Sequence, residues 1–97
     1  MYQDDDEPIM PLSANKKVER IQTGIRLEKR LVKVLKALAE HQDMTLGDLV
    51  EGIVLHAFEG KSPFGGDTIR VIDRLREIYD LDLTATDSHR LADRKGE

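Results

Sequence analysis

The spacing of hydrophobic positions changes along the chain, and each change marks an element. Residues 18–27 alternate: Ile21, Thr23, Ile25 and Leu27 fall on one side, and Arg20, Gln22, Gly24 and Arg26 on the other. That period of two predicts a half-buried β-strand, weakened locally by Gly24, which has no side chain to pack. Over residues 28–41 the period becomes helical. Leu31, Val34, Leu35 and Leu38 recur at spacings of three and four, while Lys29, Lys33 and Lys36 line another face. This is an amphipathic helix of about four turns. Thr45 then has the character of an N-cap, with Asp48 three residues on, suited to the positive end of a helix dipole. Leu46, Leu49, Val50, Ile53, Val54 and Ala57 follow at helical spacing, so a second helix runs to about Phe58, and Gly60 is placed to end it. Its middle, Gly52-Ile53-Val54-Leu55, has almost no polar side, so this helix expects burial on most sides.

Lys61 to Gly66 reads as a loop, and a third helical pattern spans Asp67–Tyr79 with Ile69, Ile72, Leu75 and Tyr79 on one side. Arg70, Arg74 and Glu77 fall mostly outward. Beyond Asp80 the signal fades. Leu81 and Leu83 alternate with aspartates, Thr86 or Asp87 is placed to cap a short terminal helix through Leu91, and Arg94–Glu97 should fray. Met1–Asn15 combines an acidic run with Pro8 and Pro11 and shows no apolar period, so it predicts a disordered tail.

A lone strand is not stable. No second run with a hairpin signal follows it, so its partner has to come from elsewhere, and another copy of the chain is the simplest source. A dimer would also cover the second helix, because residues 18–60 alone are close to the size at which chains need oligomerisation.

Net charge first argues against nucleic acid. The 97 residues carry 15 Lys+Arg and 19 Asp+Glu, a formal charge of −4. The distribution reverses that inference. Residues 1–15 hold Asp4, Asp5, Asp6, Glu7 and no basic side chain. Residues 16–36 hold eight basic and two acidic side chains, net +6, and residues 37–97 are net −6. A charge run alone is most often a solvated helix face. Here the basic block coincides with the strand and the helix after it, which makes Lys16, Lys17, Arg20, Lys29, Arg30 and Lys33 candidate phosphate contacts. There is no cysteine, so disulfides, thiol nucleophiles and Cys-type zinc sites are excluded. No uninterrupted apolar run reaches membrane-span length, and the N-terminus lacks the pattern of a secretory signal. The expected location is cytoplasmic, with the nucleoid.

One strand, a basic helix and a capped apolar helix in this order resemble the ribbon-helix-helix family of methionine- and Arc-repressor-like DNA-binding proteins. The residues that carry the resemblance are Ile21-Gln-Thr-Gly-Ile-Arg-Leu27, then Leu31, Val32 and Leu35, then Thr45-Leu-Gly-Asp-Leu-Val50. It covers residues 18–60, a little under half the chain. The implied fold is mainly α: one N-terminal strand pairing with that of a dimer mate, then two helices, with an additional C-terminal helix. The implied layout is an acidic tail over 1–15, a DNA-binding and dimerisation domain over 16–60, and a helical extension over 61–97.

The family inserts a two-stranded ribbon into the major groove. The resemblance thereby sets Gln22, Gly24 and Arg26 against base edges. Arg26 suits guanine O6 and N7, and Gln22 suits adenine N6 and N7. Gly24 departs from the pattern, since a side chain that reads bases is usual there. The resemblance further implies a phosphate clamp from the backbone N–H groups of Thr45, Leu46 and Gly47, an arrangement any helix start favours. It implies a dimer core from Ile21, Thr23, Ile25, Leu27, Leu31, Leu35, Leu38, Leu49, Val50, Ile53 and Val54. Asp43 stands where the family often has Gly, and Asp tolerates the left-handed conformation better than most residues.

Other chemistry is weaker. His41, His56 and His89 show no metal spacing, and His56 reads as a packed residue. Gly65-Gly66 is a turn rather than a phosphate loop, and no Ser/His/Asp arrangement has supporting context, so no enzyme and no cofactor are expected. The leading expectation is a homodimeric, sequence-specific transcriptional regulator of the repressor type on double-stranded DNA, with dimers able to assemble further there. The alternative is an antitoxin-like interaction module that uses the dimer as scaffold and binds a protein through residues 62–97. The run Asp4–Glu7 could in addition fold back on the basic segment and screen it from non-specific DNA.

Overall fold

The computed structural model describes residues 16–94; the acidic run Asp4–Glu7 and the expected tail lie outside them. Three α-helices of 13 residues each follow one another: α1 (Lys29–His41), α2 (Leu46–Phe58) and α3 (Gly66–Ile78). A short 3-10 turn, Ala85–Asp87, lies beyond them. α1 is the common partner and packs against both α2 and α3.

The helices stop in one way. Each ends in a cap residue followed by a residue with positive φ: Asp43 at 56°, Gly60 at 70° and Asp80 at 55°. The next N–H then turns back to a carbonyl of the last turn: Met44 to Ala39, Lys61 to His56 and Leu81 to Arg76, at 3.0, 2.9 and 2.8 Å. This is the Schellman arrangement, which satisfies carbonyls that would otherwise lack donors. The starts differ. Glu28 caps α1 by accepting from the Leu31 N–H at 2.9 Å. Thr45 Oγ1 caps α2 by accepting from the Asp48 N–H at 3.1 Å. Gly65 caps α3 with no side chain at all.

The core is small and centred on α1. Leu38, Ala39 and Leu49 are buried together, and Leu35, Ile53, Phe64, Val71, Ile72 and Leu75 pack around them. Leu38 is only 2% exposed, and burying a leucine fully is worth about 1.5–3 kcal/mol. The α3 stripe expected at Ile72 and Leu75 therefore meets α1 of its own chain.

The expected strand is absent. Residues 16–28 form neither helix nor strand, and no strand occurs anywhere among the described residues, so the ribbon of the ribbon-helix-helix fold is not there and the architecture is helical. The physical reason is the one that made a lone strand suspect. Alternation shows which side of an extended chain is apolar, but a strand exists only through ladder bonds to a neighbour about 4.8 Å away. No other described segment supplies that ladder. The arm runs over the surface with Ile21 81% and Ile25 72% exposed. The terminal helix expected through Leu91 is also replaced, by the single turn Ala85–Asp87, where the Asp87 carboxylate accepts from the Thr84 N–H at 2.8 Å.

Candidate nucleic-acid interface

The basic block of residues 16–36 divides between the extended arm (16–28) and the exposed side of α1. Heptad-like spacing buries Val34 and Leu38, and it turns Lys29, Lys33 and Lys36 outward. Lys16, Lys17 and Arg20 stand on the arm and are exposed, as are Gln22, Gly24 and Arg26. The Gly24 position opens on free space, with nothing near where a Cβ would stand. Gln22 and Arg26 are thus both exposed on the arm, while Gly24 presents backbone only.

The arginines and lysines of the block are held differently. Arg20 makes a two-pronged contact with Glu51 on α2, Nε to Oε2 and Nη2 to Oε1, both 2.9 Å. Asp48 lies 4.0 Å from the same guanidinium. This contact lays the first half of the arm beside the first turns of α2. Arg26 Nη2 donates to Asp93 Oδ2 at 2.6 Å. Arg30 donates to Glu28 Oε2 at 3.0 Å, to the Asp80 carbonyl at 2.8 Å and to Asp82 Oδ1 at 3.0 Å. All three arginines are therefore occupied within the chain. Among the described residues, Lys16, Lys17, Lys29, Lys33 and Lys36 make no ion pair, and Lys33 sits 5.9 Å from the centre of the Tyr79 ring.

These contacts shift the carboxylates involved. The Arg20 hydrogen bond is the main influence on Glu51 and holds its carboxyl below the usual value. At Glu28 partial burial is the largest single influence and pushes upward. The Leu31 N–H and the Arg30 guanidinium together outweigh it, and the net direction is down.

The proposed phosphate clamp at Thr45, Leu46 and Gly47 lies at the start of α2, near Arg20. Thr45 Oγ1 is engaged as the cap, and Asp48 already places a carboxylate in the first turn. Of the expected dimer-core residues, Leu38 and Leu49 are buried in the single chain, and Leu35 and Ile53 pack on them. Val50 is half-buried. Ile21, Ile25, Leu27, Leu31 and Val54 remain open to solvent, as does Thr23. Leu55 and Phe58 join them, with Phe58 81% exposed.

The carboxylates Glu28, Glu51, Asp82 and Asp93 escaped sequence reasoning, because each pairing except Glu28–Arg30 joins residues far apart in the chain. The excess of acid in residues 37–97 was the one available signal. His56 Nδ1 lies 2.7 Å from the Gly52 carbonyl, a local contact within α2. Among the described residues no group of three or more His, Cys, Asp or Glu side chains is placed to hold a metal ion, and no helix is long and apolar enough to cross a membrane. No family model matches the chain, and neither a curated protein nor a solved structure does.

Proposed function

We propose that the protein is a homodimeric DNA-binding regulator that grips the duplex through its basic arm and the lysine side of α1. The observation that carries this reading is an extended, exposed and basic arm that continues directly into an outward row of lysines. Lys16, Lys17, Lys29 and Lys33 neutralise phosphates and supply affinity without sequence information. Arg26 and Gln22 are the side chains with donor geometry for base edges. No paired strand is required, since an extended arm alone can lie in a groove, as other DNA-binding arms do.

The dimer follows from apolar surface left open. Val54, Leu55 and Phe58 on α2 and Ile21 and Ile25 on the arm are all exposed, and clustered exposed apolar groups mark association surfaces. A two-fold partner would cover them and set two basic blocks side by side, which is how a chain of net charge −4 can still hold DNA.

Random-site DNA selection with the purified protein, alongside its mass in solution, tests both halves. A selected site with two related half-sites and a mass of two chains are expected. Arg26→Ala should weaken binding to that site about 5- to 150-fold, the equivalent of one good bidentate base contact. A monomer that selects no site overturns the proposal, and unchanged binding by Arg26→Ala at several salt concentrations removes that residue as a reader.

A further inference from the structure

We infer that the segment from Asp80 to Asp93 is a built-in competitor for DNA, holding Arg26 and Arg30 of the basic surface until a duplex displaces it. The inference rests on the DNA-binding reading above and concerns how that surface is regulated.

The segment is pinned at its start. Leu81 is buried, its N–H donates to the Arg76 carbonyl at 2.8 Å, and Arg76 Nη2 in turn donates to the Leu83 carbonyl at 2.7 Å. That anchor leaves the Asp82 carboxylate and the Asp80 carbonyl facing Arg30, at 3.0 and 2.8 Å. The chain then turns at Ala85–Asp87 and runs back, so that Asp93 meets Arg26 at 2.6 Å. Leu83, Leu91 and Asp93 thereby wall one groove with Leu27, Arg30 and Lys33.

Two of the three arginines of the basic block thus carry a carboxylate from a single C-terminal segment. A phosphate or a guanine edge that takes Nη2 of Arg26, or the guanidinium of Arg30, competes with that carboxylate for the same donors. The hold is graded. Arg26 and Asp93 are 88% and 76% exposed, and such a pair is weak and screened by salt. Arg30 is more enclosed and has three acceptors. The arm end should therefore be released before the helix end. Intramolecular carboxylates favour partners that offer dense, regularly spaced phosphate over scattered anions.

The test uses the full chain and a non-specific duplex, read by fluorescence anisotropy at about 50 mM salt and above. Asp82→Asn with Asp93→Asn should tighten binding about 3- to 10-fold at low salt and steepen its salt dependence, because no freed carboxylate then recaptures a cation. Asp93→Asn alone, at an exposed site remote from the core, should give a smaller gain in the same direction. Asp67→Asn with Asp73→Asn on α3 changes the net charge equally without touching the arm, and should do much less. If this control tightens binding as much as the first pair, net charge is the cause and the competitor is overturned. If the wild type binds and Asp82→Asn/Asp93→Asn binds no better, the competitor fails while the DNA-binding reading stands. Binding by the variant where the wild type shows none supports both. Absence of binding by every form overturns both.

Discussion

α1 and α2 have the same length and opposite fates. α1 is studded with lysines, yet it buries Val34, Leu38 and Ala39. α2 is the more apolar helix and buries only Leu49. Position explains the difference. α1 lies between two neighbours, and α2 has α1 on one side only. Burial within one chain follows which helix is central, and apolar surface in excess of that points outward to another molecule.

The sharpest way to break this comparison is Leu38→Ala. Truncating the most enclosed leucine of the central helix should cost about 2–5 kcal/mol, a large share of the stability of so small a domain. Urea unfolding monitored by circular dichroism would read it, and a loss much below this range would mean that α1 is not the centre of the core. Phe58→Glu tests the other side. It should leave the chain folded while weakening self-association at least about 30-fold, as expected for losing one well-buried interface anchor. Sedimentation over a concentration series would show it, and an unchanged dimer would clear this face of α2 of any role in association.

The helix starts refine the comparison. Thr45→Ala removes the hydroxyl that accepts from Asp48 N–H and should cost about 1 kcal/mol in thermal or urea unfolding. α1 is capped by a carboxylate instead, so only its start should respond to acid. Glu28 and Glu51 both have carboxyls held below the ordinary 4.5. Their contribution is therefore present above that value and is lost as pH falls through the lowered one. Amide hydrogen–deuterium exchange on lowering the pH from about 6 to about 3 should show the Leu31 amide losing protection before the Asp48 amide. Simultaneous loss would contradict the assignment of the caps. The smallest effect is expected at a helix end. Asp43→Gly relieves a left-handed residue but loosens the unfolded chain, so the net gain should be about 1 kcal/mol or less, measured as a rise in melting temperature. A fall would show that the Asp43 side chain itself contributes to the turn.

Much of the helical layout was legible in the residues. The 3/4 spacing around Leu35 and Leu38, the Thr45 cap and the Gly60 stop are local signals, and local signals act over a turn or two of chain. Asp43 lies in the left-handed region, a position the resemblance pointed to and aspartate tolerates. Glu28 was less legible, since a glutamate at the edge of a helical pattern fits the first turn as well as the cap. The arm shows where reading stops: alternation predicted a half-buried strand, but alternation cannot supply a ladder partner, and both sets of side chains are exposed. The pairings of Arg20 with Glu51 and Arg26 with Asp93, 31 and 67 residues apart, leave no trace in spacing.

By itself the order of side chains determined where the three main helices run, the Thr45 start and Gly60 stop of the second, and that positive charge gathers in residues 16–36 between acidic flanks. These follow from backbone hydrogen bonding and side-chain periodicity within a few residues. Only the tertiary structure decided that α1 is the shared core helix, that the arm stays unpaired, and that acidic side chains distant in sequence close over the arginines. Those outcomes depend on which surfaces meet in space, and a carboxylate or an apolar face takes whichever partner the packing brings within reach.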